Sequence, residues 1–249
     1  MARHAVAVAA PGVSASPVLR ARLLLFDLDG VLADSTASVE AHWRRWAARY
    51  ALDPDGLLRI VHGRRAVDTI RAVTPQLDAE GELAWLVAAE AGDTAGVVAA
   101  PGAAALLASL PIDGWAVVTS GVRAVAEARL GASGLPVPPV LVAADEITHG
   151  KPDPEGYLAA ANRLGWPAAA CVVVEDAPAG IAAARAAGMA CVALTTTHAA
   201  AEVAAADLVV PSLAALRVAS APHPDGGVQY TIAASATLSE DAREEEMHR

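Results

Sequence analysis

The chain has 249 residues, enough for one core of ordinary size plus a small inserted domain, and too long for a mini-protein that depends on disulfides. Its 28 acidic residues against 18 basic ones give a formal net charge of -10, a field that repels polyanions and argues against a nucleic-acid partner. Hydrophobic residues make up 55%, much of it alanine, yet no uninterrupted apolar run approaches the ~18 residues needed to cross a bilayer, so a soluble protein without a membrane partner is expected.

Arg3 and the apolar run Ala5-Val6-Ala7-Val8-Ala9-Ala10 loosely imitate a secretory signal, but the run is short and Pro11-Gly12 breaks it. Residues 1–20 are therefore read as a flexible leader. Apolar runs of strand length follow at residues 23–26, 115–118, 140–143, 171–174, 191–194 and 208–210. They are continuous rather than alternating, which predicts strands buried on both faces of a parallel sheet. Alanine-rich stretches of helical length lie between most of them, at 123–130, 155–164 and 179–187, the last closed by Gly188 as a helix stop. This alternation predicts a doubly wound, Rossmann-like α/β core over residues 21–33 and 102–235.

A crossover between parallel strands needs only a dozen or more residues. The far longer interval from Asp34 to Pro101 therefore predicts an inserted domain over 34–101. Val39, Trp43, Trp46, Ala47 and Tyr50 recur at helical spacing opposite Arg44, Arg45 and Arg49, and Leu83, Leu86, Val87 and Ala91 do likewise, so the insert is read as all helical. Asp34 is expected to cap its first helix. Beyond the core, Pro224-Asp225-Gly226-Gly227 reads as a turn into a terminal strand at 228–232, and residues 236–249, dense in acids, read as a disordered tail. Cys171 and Cys191 each open an apolar run and are expected to be packed, reduced thiols, in keeping with a cytoplasmic protein.

Ligands of open α/β sheets bind outside the carboxyl ends of the strands. Four of the predicted strands run there into polar features: Asp27-Leu28-Asp29-Gly30, Thr119-Ser120-Gly121, Gly150-Lys151-Pro152 and Glu175-Asp176. Four carboxylates, a hydroxyl and a lysine would converge. Crowded carboxylates repel one another unless a cation sits among them, and an all-oxygen donor set suits Mg2+. The implied ligand is a phosphate bridging metal and lysine.

In order, Asp27-Leu28-Asp29-Gly30-Val31-Leu32-Ala33-Asp34-Ser35, Val118-Thr119-Ser120-Gly121, Gly150-Lys151-Pro152-Asp153-Pro154 and Val174-Glu175-Asp176-Ala177-Pro178-Ala179-Gly180 resemble the four motifs of haloacid dehalogenase-like hydrolases. The resemblance runs from about residue 21 to 232. Through Val118-Thr119-Ser120-Gly121 and Val61-His62-Gly63-Arg64-Arg65 it points to the sugar phosphatase branch, near the hexitol and 2-deoxyglucose-6-phosphate phosphatases. It implies Asp27 as the nucleophile that becomes an aspartyl phosphate. It implies Asp29 as the acid and base for the departing alcohol and the attacking water. Ser120 and Gly121 would bind phosphoryl oxygens, helped by N–H groups at the start of the next helix, and Lys151 would supply positive charge. Asp27, Asp176 and the Asp29 carbonyl would hold Mg2+, with Glu175 orienting Lys151 or a metal-bound water. The helical cap would exclude water and supply His62, Arg64 and Arg65 to the substrate, Arg65 reaching the sugar.

The resemblance thus implies a Mg2+-dependent phosphatase of small sugar or polyol phosphates, expected to be a monomer. A phosphomutase of the β-phosphoglucomutase type shares all four motifs and stands as the alternative; Val31 in place of the usual threonine is a feature that branch shares. Lys151 lacks the glycine spacing of a Walker A loop, and Ser120 lacks the glycine that precedes an acyl hydrolase nucleophile.

Overall fold

The computed structural model describes residues 17–235. The parts of the expected leader and acidic tail at 1–16 and 236–249 lie outside them. The chain opens with β1 (Leu19–Ala21), β2 (Leu23–Phe26) and β3 (Ala33–Asp34). Four helices follow, α1 (Thr36–Arg49), α2 (Pro54–Val61), α3 (Ala66–Val73) and α4 (Ala79–Gly92), and β4 (Val98–Ala99) returns beside β3. The rest runs α5 (Ala103–Ser109), β5 (Trp115–Val118), α6 (Arg123–Ala132), β6 (Leu141–Val142), α7 (Glu155–Arg163), β7 (Cys171–Glu175), α8 (Pro178–Ala186), β8 (Ala190–Leu194), β9 (Leu208–Val210), β10 (Leu216–Pro222) and β11 (Val228–Ala234).

The central sheet has six strands in the order β6-β5-β2-β7-β8-β9, every neighbouring pair parallel. Its apolar runs are continuous because both faces are covered. Leu24 and Phe26 pack with Val117, Val172 and Val174 on one face, while Leu23 and Leu25 pack with Ala116, Val118 and Val173 on the other. Cys171 and Cys191 are buried free thiols on the second face, and burial pushes Cys171 up to about 11. Gly188 ends α8 at φ +73, with its own N–H and that of Met189 donated back to Arg185 and Ala184. Among the described residues no helix is long and apolar enough to cross a membrane.

Two features depart from the sequence expectation. Leu19 and Arg20, assigned to the leader, form β1, which pairs antiparallel with β11; β11 pairs in turn with β10, a strand the sequence pattern does not announce. From Arg217 to Pro222 every residue of β10 except Val218 is exposed, so it carries no apolar run. Asp34 does not cap α1. The β3–β4 pairing holds it extended opposite Val98, and Ser35 occupies the cap position without a capping side-chain bond, its hydroxyl being turned toward Asp29.

The helices between β3 and β4 enclose an apolar cluster of their own, built on Trp43, Trp46, Leu57, Leu58, Ile70 and Leu86. Trp43 and Trp46 meet edge to face at 5.4 Å, and the Trp46 indole N–H donates to Glu82 at 2.9 Å. In α4 only Leu86 of the predicted apolar stripe is buried. Leu83 and Val87 instead wall a cavity of ≈ 280 Å³ between α3, α4 and the core loops.

Candidate active site

Four adjacent strands, β6, β5, β2 and β7, deliver their carboxyl ends to one place. Asp27 directly follows β2, Ser120 follows β5 by one residue, Lys151 sits on the loop between β6 and α7, and Glu175 ends β7 with Asp176 next. The Lys151 ammonium donates to Asp27 Oδ1 at 2.5 Å, to Glu175 Oε1 at 2.6 Å and to the Val118 carbonyl at 3.3 Å. Carboxylate oxygens of Asp27, Glu175 and Asp176 lie within 4.8 Å of one another, and all three residues are buried. Burial raises Asp27 to about 7, against the pull of Lys151 and with repulsion from Glu175 and Asp29 adding to it. Burial, then repulsion from Glu175 and Asp27, raises Asp176 well above the carboxylate range.

Glu175 is held on every side. Oε1 also accepts from the Tyr157 hydroxyl at 2.7 Å, and Oε2 accepts from the backbone N–H groups of Asp176 at 3.0 Å and Ala177 at 3.2 Å. That leaves Asp27 and Asp176 as the carboxylates of the cluster with capacity for a cation. Asp176 Oδ2 accepts from Thr197 at 2.5 Å, and its carbonyl meets His198 Nδ1 at 3.1 Å. Gly30, at φ +78, lets the turn after β2 pass against the Asp176 carboxylate, where any Cβ would collide with it. A buried all-oxygen set with one lysine against three carboxylates fits a hard divalent ion such as Mg2+.

Asp29 stands beside this cluster. Its Oδ1 accepts from Ser35 at 2.6 Å and its Oδ2 from the Arg129 guanidinium at 2.8 Å. A cavity of ≈ 70 Å³ is lined by Asp27, Asp29, Ser120 and Gly121 from the core, by His62 and Arg64 from the insert, and also by Arg129, Trp43 and Glu90. Ser120 donates its hydroxyl to the Gly63 carbonyl at 3.0 Å. Near the start of α6 the Gly121 N–H donates to Thr119 Oγ1 and the Arg123 N–H to Asp145, so these two donors are engaged within the protein.

The insert meets the core through the loop after α2. Gly63, at φ +75, lies so close to Ala177 that a Cβ would come within 2.7 Å of the alanine methyl. Arg64 is exposed at the rim. His62 is largely buried, and burial lowers its pKa. Arg65 takes a different course from the one expected. Its Nε and Nη2 donate to Asp68 at 2.7 and 3.0 Å, and its Nη1 donates to the carbonyls of Ile147 at 3.2 Å and Thr148 at 2.8 Å. Its guanidinium is thus turned away from the cavity that holds Asp27 and ties the insert to the loop that carries Lys151. Glu155 fastens the same loop by accepting from the N–H groups of Thr148 and His149, both at 2.8 Å.

Sequence reasoning misses Tyr157, Thr197, His198, Arg129 and Glu90. Thr197 carries a signal, since Thr195-Thr196-Thr197 follows β8 as the other motifs follow their strands. The others lie inside helices or beyond a strand end and reach the site only through tertiary packing.

The fold and this arrangement define a hydrolase with a Rossmann-like core and a helical insert. The chain belongs to the haloacid dehalogenase-like hydrolase family, whose sequence pattern matches residues 21–188. It is 41% identical over 216 residues to hexitol phosphatase A of Escherichia coli (strain K12), covering 85% of this chain and all of that protein. It is 39% identical over 207 residues to validoxylamine A 7'-phosphate phosphatase of Streptomyces hygroscopicus subsp. limoneus, covering 79% of this chain and 96% of the other. Among solved structures, a hydrolase from Pseudomonas syringae superposes with a TM-score of 0.71 at 27% identity, covering 78% of this chain and 94% of that one.

Proposed function

We propose that the protein is a Mg2+-dependent phosphatase of small sugar or polyol phosphates that works through an aspartyl phosphate. The observation that carries this reading is the buried Asp27 carboxylate, 2.5 Å from Lys151, at the floor of a cavity shared by Asp29, Ser120 and the insert. Lys151 orients Asp27 toward an entering phosphorus and offsets the charge that gathers on the phosphoryl oxygens. Asp27 attacks and splits one hard displacement into two easier ones. Asp29 gives a proton to the departing alcohol and takes one from the attacking water. Ser120 turns its hydroxyl from the Gly63 carbonyl to a phosphoryl oxygen when substrate enters.

Mg2+ would be held by Asp27, Asp176 and the Asp29 carbonyl, and it would supply positive charge to the phosphoryl group. Residues 34–101 act as a cap, with His62 and Arg64 facing the substrate across the cavity and water excluded beneath it. The hexitol and validoxylamine phosphatases similar to this chain support a polyhydroxylated leaving group.

The test is phosphate release from a panel of hexitol, glycerol and hexose phosphates in Mg2+. Turnover of one or more is expected. Release from none overturns the proposal, as does isomerisation of a hexose phosphate in the presence of a bisphosphate without release.

A further inference from the structure

We propose that Arg129 is a positioning residue for the hydrolysis above, fixing the Asp29 carboxylate at the reacting ester from an anchor on Glu90 of the insert. The inference rests on that reading and extends it to a residue on α6 that no strand-end motif contains.

Arg129 lies in the last turn of α6, and its side chain is only 5% exposed, in the wall of the catalytic cavity. A buried guanidinium is tolerated only when its charge and its donors are met. Here each terminal nitrogen meets one acid: Nη1 donates to Asp29 Oδ2 and Nη2 to Glu90 Oε2, both at 2.8 Å. The two acids come from different parts of the fold, one after β2 and the other near the end of α4. A planar fork with two bonds fixes direction as well as distance, which a lysine ammonium does not. Ser35 holds the other oxygen of Asp29 at 2.6 Å, so the carboxylate is gripped at both ends while each oxygen keeps capacity for a further bond toward the cavity. A simple tie between α4 and α6 would not need the same guanidinium to reach Asp29.

The two proton movements show what this grip serves. In the first step the bond from Asp27 oxygen to phosphorus forms, the ester P–O bond breaks, and Asp29 protonates the departing oxygen. In the second, water oxygen bonds to phosphorus, the Asp27–phosphorus bond breaks, and the water proton passes to Asp29. Both require the carboxylate within hydrogen-bonding reach of a moving oxygen.

p-Nitrophenyl phosphate separates these steps, because p-nitrophenolate departs without a proton whereas hydrolysis of the aspartyl phosphate still needs Asp29. With enzyme in excess and Mg2+ present, nitrophenolate and phosphate release are timed in the same mixture for wild type, Arg129→Met, Arg129→Lys and Glu90→Gln. In Arg129→Met, nitrophenolate release should stay within about threefold of wild type while phosphate release falls ~10- to 100-fold, part of the effect that a positioned acid or base supplies. Arg129→Lys should recover part of that loss, and Glu90→Gln should show a smaller lag of the same kind. Equal slowing of both products, or no slowing of either, overturns the proposal; if Arg129→Met does not fold, the other two variants decide by the same comparison. Wild type that releases no phosphate from any ester instead refutes the phosphatase reading, and this inference with it.

Discussion

Replacing Arg65 by alanine tests whether the insert is held to the core by that side chain or whether the side chain serves the substrate. The substitution removes two bonds across the boundary, to the carbonyls of Ile147 and Thr148, and two inside the insert, to Asp68 in the first turn of α3. Asp68 is 39% exposed and regains water readily, so the pair inside the insert weighs little. The bonds across the boundary contribute ~1 kcal/mol each, about 2 kcal/mol together, because the carbonyls they leave are also rehydrated. At 1.4 kcal/mol per tenfold, the seated arrangement should lose ~30-fold in its equilibrium constant. Both a polyol phosphate and p-nitrophenyl phosphate need the insert seated over Asp27, so kcat/KM should fall for both by a similar factor, up to that limit. Arg65→Lys, which keeps the charge and one donor direction, should lie between. A loss confined to the polyol ester would refute this reasoning and return Arg65 to the substrate, as the sequence suggested; no loss on either ester would show that Gly63 and Ser120 suffice to seat the loop.

Asp27→Asn should keep the fold by circular dichroism and lower turnover ~100-fold or more, because the amide still accepts a bond from Lys151 but does not attack phosphorus; near-normal turnover would end the aspartyl-phosphate reading. Asp176→Ala should lose activity that raised Mg2+ restores only in part, and EDTA should abolish turnover in wild type, so full activity in EDTA would contradict the metal assignment. Tyr157→Phe removes the buried bond to Glu175 at 2.7 Å and should cost about 1 kcal/mol in denaturant unfolding with a several-fold drop in kcat at nearly constant KM; a change in KM alone would place Tyr157 at the substrate instead.

The parts of the site legible in the sequence are those in which chemistry follows a strand without a break. β2, β5 and β7 are fully buried runs of four or five residues, and the polar residues just past each mark the edge of the core. Asp27, Ser120 and Asp176 are found by that rule, and Lys151 by its glycine-proline setting on the loop after β6. Tyr157 and Arg129 escape it because each sits on a helix, in the first turn of α7 and the last turn of α6, where one polar residue on an alanine-rich face has no partner visible in the sequence. Arg65 stands away from the place the sequence suggests for a related reason. Its spacing from Asp68 suits a bond at the start of α3, but the carbonyls that turn it from the cavity belong to residues 82 and 83 positions further on. β10 escapes that rule as well, because it is the edge strand of the sheet it forms with β11 and β1, has mostly exposed residues, and carries neither an apolar run nor a clean alternation.

The charge balance of the site links its construction to its proposed ligand. A chain of net charge -10 must attract a phosphate ester to some locally positive place, and the two buried cations near the cavity are Lys151 and Arg129. Both are already shared between acids, Lys151 by Asp27 and Glu175, Arg129 by Asp29 and Glu90. Asp176 adds a further buried carboxylate whose nearest side-chain donor is the neutral Thr197 hydroxyl. The protein's own buried charges therefore sum to an excess of carboxylate, and repulsion within it is part of what raises Asp27 and Asp176. Such a site does not favour a dianion by its side chains alone. A divalent cation held by Asp27 and Asp176 would offset the excess negative charge of Asp27, Glu175 and Asp176 over Lys151, would let both carboxylates ionise, and would give the phosphoryl group the partner that Lys151, divided between two acids, supplies only in part. The same excess of carboxylate that makes the cluster costly by itself is thus the strongest physical support for its being a metal and phosphate site.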